Sequence, residues 1–153
     1  MPDSKTLAPE IKKRVLDSFE RQGLMKHLGA SLSELSPGRA VVQMPYRTEL
    51  TQQHGFFHAG GTTAICDAAG GYAALSMFPA DSSILTVEFK INLLAPALGD
   101  YLEAIGKVVR AGRTLTVCQV EVFGVARDER TLVALGQQTL IRLDGASDGP
   151  KRD

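Results

Sequence analysis

The apolar positions of this 153-residue chain change period twice. Ile11, Val15, Leu16 and Phe19 recur at three- and four-residue steps behind Pro9, which predicts an amphipathic helix running to about Gln22 and ended by Gly23. Residues 24–28 read as a short helical turn. Ala30, Leu32 and Leu35 then lead into Ser36-Pro37-Gly38-Arg39, a strong turn signal, and residues 40–44 return as the second strand of a hairpin. Residues 46–57 show no period and read as a loop. A helix of small residues is predicted over 58–78, stopped by Pro79.

From residue 84 the period is two. Leu85, Val87, Phe89, Ile91 and Leu93 fall on one face, and Thr86, Glu88, Lys90 and Asn92 on the other. Pro96 and Gly99 interrupt the pattern. Further strands are predicted over 101–110, 114–125 and 132–142, joined by a tight Ala111-Gly112-Arg113 connection and by a turn over 127–130. One long helix followed by a run of strands argues for an α+β domain in which one face of an antiparallel sheet buries the helix, not for a parallel doubly wound sheet. Residues 1–9 read as a flexible lead, 10–143 as one domain, and the polar, Gly-rich 144–153 as a disordered tail. There is no internal repeat or second domain.

The chain is organised around residues 52–71, QQHGFFHAGGTTAICDAAGG. Gly60, Gly61, Gly70 and Gly71 each cost up to about 1 kcal/mol relative to Ala inside a helix. Small side chains compensate by letting a backbone approach another surface, which suits a helix clasped by a sheet or pressed on a symmetry mate. The stretch carries one carboxylate, Asp67, among Ala64, Ile65, Ala68 and Ala69, a setting that argues against full solvation.

Charge and composition narrow the function. Seventeen basic and 17 acidic residues balance, so no electrostatic footprint for nucleic acid or an anionic membrane is present. There is no Trp and little aromatic surface for base stacking. No apolar run approaches the roughly 20 residues of a membrane span, and MPDSKTLAPEIKKR has no apolar signal core, so a cytoplasmic protein is expected. Two cysteines form neither a disulfide framework nor a zinc spacing.

Several constellations have competing readings. His54 and His58 sit four apart, but Gly55 interrupts any helix between them, HExxH is absent and no third ligand is in view; hydrogen bonding at a turn is the better reading and no metal is expected. Ala59-Gly60-Gly61 fits no nucleotide loop. These residues instead put backbone N–H groups at a helix N-terminus, which suits an anion or a polarised carbonyl oxygen, or is simply a capped helix start. Cys66, next to Asp67, reads as a buried structural thiol, and Cys118 shares a core face with Val120 and Val122. Arg110 and Arg113 flank a hairpin, either solvated or placed to grip a phosphate. Phe56, Phe57 and Tyr72 suit an aryl-sized pocket as well as core.

The residues HAGGTTAICD, with Gln52 six before His58 and Gly55 three before it, resemble the signature of the PaaI-like (phenylacetate-degradation type) hotdog-fold acyl-CoA thioesterases: an Asn or Gln, then G-x-x-H-G-G, then an acid nine after the His. Residues 85–96 and 110–114 resemble that family's following strands, and the similarity spans about residues 28–142. The resemblance implies a sheet wrapped round the long helix, homodimers formed edge to edge and pairing into a tetramer, an acyl-CoA substrate, and no cofactor beyond the CoA of that substrate. It implies Asp67 as general base or nucleophile, Gln52 orienting water or substrate, the Ala59 and Gly60 N–H groups polarising the thioester carbonyl, His58 holding the turn, and Thr86 hydrogen-bonding Asp67 or its water. Gly55, Lys90, Asn92, Arg110 and Arg113 are the implied substrate- and CoA-binding set. One departure stands out. The family's Gly after the His is Ala59 here, whose methyl would narrow the acyl pocket while keeping the N–H.

Residues 59 and 67 are eight apart, about 12 Å along a helix axis at 1.5 Å per residue. One thioester carbon cannot lie about 3 Å from both. If both act, the carboxylate and the N–H groups come from different protomers of a two-fold pair. Three other readings fit the same scaffold: an acyl-CoA sensor that binds without cleaving, which fold alone does not exclude, a hotdog hydratase, whose His–acid spacing is not seen, and a purely structural subunit.

Overall fold

The computed structural model describes residues 6–146 and residue 149; the predicted flexible lead and tail fall largely outside the described residues. Helices α1 (Pro9–Glu20) and α2 (Gly23–Leu28) precede a hairpin of β1 (Ser31–Ser36) and β2 (Arg39–Pro45). The long helix α3 (Ala59–Leu75) follows, and then β3 (Ser82–Leu93), β4 (Tyr101–Ala111), β5 (Leu115–Ala126) and β6 (Glu129–Asp144). The six strands form one antiparallel sheet in the order β1-β2-β4-β5-β6-β3, so β1 and β3 are its edges. The sheet curls around α3. This is the hotdog fold.

Contact with the sheet explains the composition of α3. Residues on every side of it are buried, including Ile65, Cys66, Ala69, Tyr72, Ala73 and Leu75. A helix apolar all round belongs at the centre of a domain. The approach is close enough to demand glycine on the strands as well: a methyl at Gly106 would lie 2.3 Å from the Ala69 carbonyl oxygen, and one at Gly136 would lie 2.5 Å from Cys66 Sγ. The last turn of α3 contains no basic residue. The Arg14 guanidinium of α1 donates to Leu75 O, on the last residue of α3, at 2.7 Å, and beyond the helix to Phe78 O at 3.0 Å, Ser82 O at 3.0 Å and Pro79 O. That supplies the cation a helix C-terminus favours and pins α1 to the core.

Four readings of the sequence need correction. Gly23 opens α2; α1 has already ended at Glu20, its last carbonyls taken by the Arg21 and Gln22 N–H groups. Helix α3 stops at Leu75, three residues short of the limit that Pro79 set. The loop over 46–57 contains a single 3-10 turn (Thr48–Leu50) and a Thr51–Phe57 bridge, which bury Leu50 and Phe57. The last turn is tighter than expected, because Arg127 takes a left-handed φ of 53° and β6 begins at Glu129.

The two-residue alternation in β3 is broken by a bulge between Thr86 and Glu88. Thr86 pairs with inward-facing Leu140, and Leu85 with Ile141 on the outer face; beyond the bulge Phe89, Ile91 and Leu93 take the inner face, opposite Gln138, Gly136 and Ala134. An extra residue flips the parity of everything after it. Thr86 therefore faces the helix, while Leu85 is 58% exposed.

The glycine contacts make a paired stability prediction. Gly106→Ala is expected to cost about 2–3 kcal/mol by driving a methyl into backbone, whereas Gly23→Ala, with nothing within 4 Å, should be neutral or stabilise by up to about 1 kcal/mol. Urea unfolding of the two variants checks both; equal midpoints would mean that α3 does not need its close seat.

Candidate active site

His58 caps α3. Its Nδ1 accepts from the Gly60 N–H at 2.8 Å, and its carbonyl accepts from the Gly61 N–H at 3.0 Å and the Thr62 N–H at 3.2 Å. This revises one expectation: the Gly60 N–H is already engaged by the cap, as the second donor of a helix commonly is. The Ala59 N–H takes part in none of these bonds and remains as the donor at the helix start. Among the described residues Arg127 is the one non-glycine with positive φ, so Ala59 holds its place without backbone strain.

The turn before α3 is held by its own groups. Gly55, at φ 81°, needs glycine, and its N–H donates to Gln52 O at 3.0 Å. Gln52 Oε1 accepts from the His54 N–H. Gln52, Phe56, Ala59, Thr62 and Leu93 line a groove of about 180 Å³ at this end of the helix. His54 lies tilted against the Phe56 ring, 6.4 Å away. Among the described residues no three His, Cys, Asp or Glu side chains gather as a metal site.

Asp67 lies two turns further along α3, half-buried on a separate cleft of about 270 Å³ whose other walls include Ser18 of α1, Gln22 at the α1–α2 junction, Gly71, Tyr72, Leu75 and Ile84. Thr86 Oγ1 donates to Asp67 Oδ1 at 2.7 Å. Gln138 Nε2 donates to the same oxygen at 3.1 Å, to the Asp67 carbonyl at 3.3 Å and to Thr86 Oγ1 at 3.4 Å. Both donors load Oδ1, which leaves Oδ2 as the carboxylate oxygen available for chemistry. Tyr72 is buried beneath the cleft, its hydroxyl 3.2 Å from Ser18 Oγ and its ring edge-on to Phe19 at 5.4 Å.

Sequence reasoning passed over Gln138. The inward parity of β6 runs Ala134, Gly136, Gln138, Leu140, so an amide stands where the pattern calls for an apolar residue, and that mismatch was the available signal. It also passed over the α1 wall of the cleft. Lys90 and Asn92 are exposed on the outer face of β3, and Arg110 and Arg113 are exposed around the β4–β5 hairpin. The structure does not bring these four to Asp67 within one chain.

Both thiols are shut in. Burial pushes Cys66 up to about 12, with the neighbouring Asp67 charge adding to the effect, and burial alone does the same for Cys118. Neither supplies a nucleophile at neutral pH.

Residues 54–129 match the model of the thioesterase superfamily. The solved structure of a thioesterase family protein from Silicibacter pomeroyi is 44% identical and superposes with a TM-score of 0.86, covering 88% of this chain and 99% of that one. The chain belongs to the thioesterase superfamily. It is a thioester hydrolase. The acyl-coenzyme A thioesterase PaaI of Escherichia coli is 29% identical over 133 residues, 86% of this chain and 90% of its own. The solved structure of the E. coli PaaI protein, 24% identical, superposes with a TM-score of 0.81 over 92% of this thioesterase and 98% of that chain. No helix of the described residues is long and apolar enough to cross a membrane.

The raised thiols give a direct test. Native protein at pH 8 should resist iodoacetamide at both Cys66 and Cys118 over hours, and both should be alkylated within minutes in 6–8 M urea (order-of-magnitude times, set by the scarcity of thiolate well below the pKa). Mass spectrometry of the two samples reads the result; rapid labelling of folded protein would contradict the burial.

Proposed function

We propose that this thioesterase hydrolyses acyl-CoA esters of small acyl groups, aryl or medium-chain, at a site completed by two copies of the chain. The observation that carries the reading is the carboxylate of Asp67, loaded on one oxygen and open on the other, beside a cleft of about 270 Å³. An apolar cavity of about 150 Å³ takes a benzene ring, so the cleft has room for an acyl group of that order. The E. coli relative, named an acyl-coenzyme A thioesterase, supports CoA as the thiol.

Asp67 Oδ2 acts on the thioester carbonyl carbon, either by taking a proton from water as that water attacks or by attacking directly. In the first case hydroxide adds to the carbonyl, the carbon–sulfur bond breaks, and CoA leaves as the thiol with the proton that Asp67 had accepted. In the second Asp67 adds to the carbonyl, the carbon–sulfur bond breaks and CoA leaves as the thiolate; water then hydrolyses the resulting mixed anhydride to the free acid and the Asp67 carboxylate, and the proton released goes to the thiolate. The oxyanion that develops needs a donor, and the N–H of Ala59 with the positive end of the α3 dipole behind it is suited to that work. Within one chain the groove at Ala59 and the cleft at Asp67 share no lining residue. The donor is therefore assigned to the partner's Ala59. Strand β3 favours this assembly. It is a 12-residue edge, and Leu85, Val87, Phe89, Leu93 and Leu94 on or beside it are all more than half exposed. Such an edge is a template for pairing with another strand. An antiparallel β3–β3 contact sets two α3 helices side by side in opposite senses, with pairing of dimers as the further step. Lys90, Asn92, Arg110 and Arg113 are the cations and amide offered to the CoA phosphates and pantetheine from outside.

Asp67→Asn should lower kcat by about 10²–10⁴-fold with the fold retained, read as free thiol release from a panel of aryl and medium-chain acyl-CoA esters. Near-normal turnover in that variant would remove Asp67 from the reaction. Mixing Asp67→Asn chains with chains inactivated at Gln52 should restore part of the activity, since one of the two composite sites is then intact; a mixture no better than its components would point to a site within one chain.

A further inference from the structure

We infer that Gln138 is a positioning residue for the reaction: its carboxamide selects and holds the working rotamer of Asp67, and Gly70 exists to make room for it. The inference rests on the reading of Asp67 as the reactive group and adds to it a residue that no sequence motif marks.

Gln138 is 2% exposed, on the inner face of β6, and does not line the cleft beside Asp67. It does not touch substrate; whatever it does, it does through Asp67. Its Nε2 lies within hydrogen-bond distance of the Asp67 carboxylate, the Asp67 carbonyl and the Thr86 hydroxyl oxygen. The first two of these are pure acceptors, so the amide nitrogen, not its oxygen, must face them. Thr86 gives its one hydroxyl proton to Asp67 Oδ1 and so takes a proton from Gln138. The three side chains close a ring in which the two Nε2 hydrogens are shared among the Asp67 carboxylate, the Asp67 carbonyl and the Thr86 oxygen. The ring spans α3, β3 and β6 and leaves the carboxylate a single orientation, with Oδ2 outward.

The helix is built to admit the carboxamide. A Cβ on Gly70 would lie 2.0 Å from Gln138 Oε1 and 2.6 Å from Cδ. A glycine in the middle of a helix costs about 1 kcal/mol against Ala, and nothing about the φ of Gly70 requires it. The space is what the glycine supplies. The titratable groups packed around the carboxamide are Asp67 itself and the thiols of Cys66 and Cys118, and both thiols stay neutral below about 12.

A purely packing role for Gln138 predicts that an apolar residue of like size serves as well. A positioning role predicts otherwise. Gln138→Met, which fills the space and removes the donor, should lower kcat about 10- to 100-fold while KM stays within about threefold, because the lost hydrogen bond is to a charge that acts in the chemical step. Gln138→Glu sets a second carboxyl against Asp67. The pair is expected to hold one proton once the pH falls, and that proton restores a donor to Oδ1. The rate of Gln138→Glu relative to wild type should therefore rise by about tenfold between pH 8 and pH 5.5, while the ratio for Gln138→Met stays flat. Gly70→Ala, which keeps both side chains but displaces the carboxamide, should lower kcat in the same way. Melting temperatures and circular dichroism taken on every variant separate loss of fold from loss of rate. A folded Gln138→Met enzyme with kcat within twofold of wild type overturns the inference, as does a Gln138→Glu ratio that does not change with pH. Asp67→Asn, run beside them, keeps the two readings apart. Activity in Asp67→Asn sinks the assignment of the acid itself; an inactive Asp67→Asn beside a fully active Gln138→Met sinks the role of Gln138 alone.

Discussion

Helix α3 lies against the sheet at backbone distance, and the rest of the molecule is arranged to permit that. Three glycines mark the contact, one on the helix and two on the strands: Gly70 under Gln138, Gly106 under the Ala69 carbonyl, and Gly136 under the Cys66 sulfur. In solution a helix with four glycines forfeits up to about 4 kcal/mol of propensity relative to Ala. Full burial of Ile65, Tyr72 and Leu75 alone returns about 1.5–3 kcal/mol each. Tertiary contact outweighs intrinsic preference, so α3 is stable only inside its sheet. The Arg14 guanidinium adds a cation at the Leu75 carbonyl, where α3 ends, and ties α1 to the turn that follows.

The chemistry follows from the same contact. With the helix this near, the strand side chains that face it reach its polar atoms directly. Thr86 and Gln138 meet Asp67 from β3 and β6, on an element otherwise built of small apolar residues. The start and the middle of α3 are then separate candidate sites. The N-terminus presents a donor and a dipole, while the carboxylate sits two turns away in a different cleft. The axial distance is a property of the α-helix and cannot be closed by side-chain movement. An active site that uses both must be assembled from two chains, and the apolar edge of β3 is the surface that suits such an assembly.

Helix α1 serves two ends of the molecule. Its Arg14 binds the last carbonyl of α3, and Ser18, one turn on, walls the cleft beside Asp67 together with Gln22 just past the helix end. A segment that reads in sequence as a plain amphipathic lead thus bounds the cleft beside Asp67.

Much of this was legible from residue order alone. The period of three to four around Ile11–Phe19, the small-residue run ended by Pro79 and the period of two after residue 84 determine the element types, because they reflect burial geometry that is local to each element. The lone acid and the glycine-rich helix start stand out for the same reason. What sequence could not determine was parity and pairing. The bulge in β3 turns Thr86 inward and Leu85 outward, and a bulge is a property of two strands, not one. The cap that occupies the Gly60 N–H depends on the His58 rotamer. Gln138 reaches Asp67 across 71 residues of chain, so neither carries the other's mark. Local periodicity fixes which segments bury and how; only the folded sheet decides which polar groups meet across it, since that meeting is set by strand register and by the few ångströms a missing Cβ leaves open.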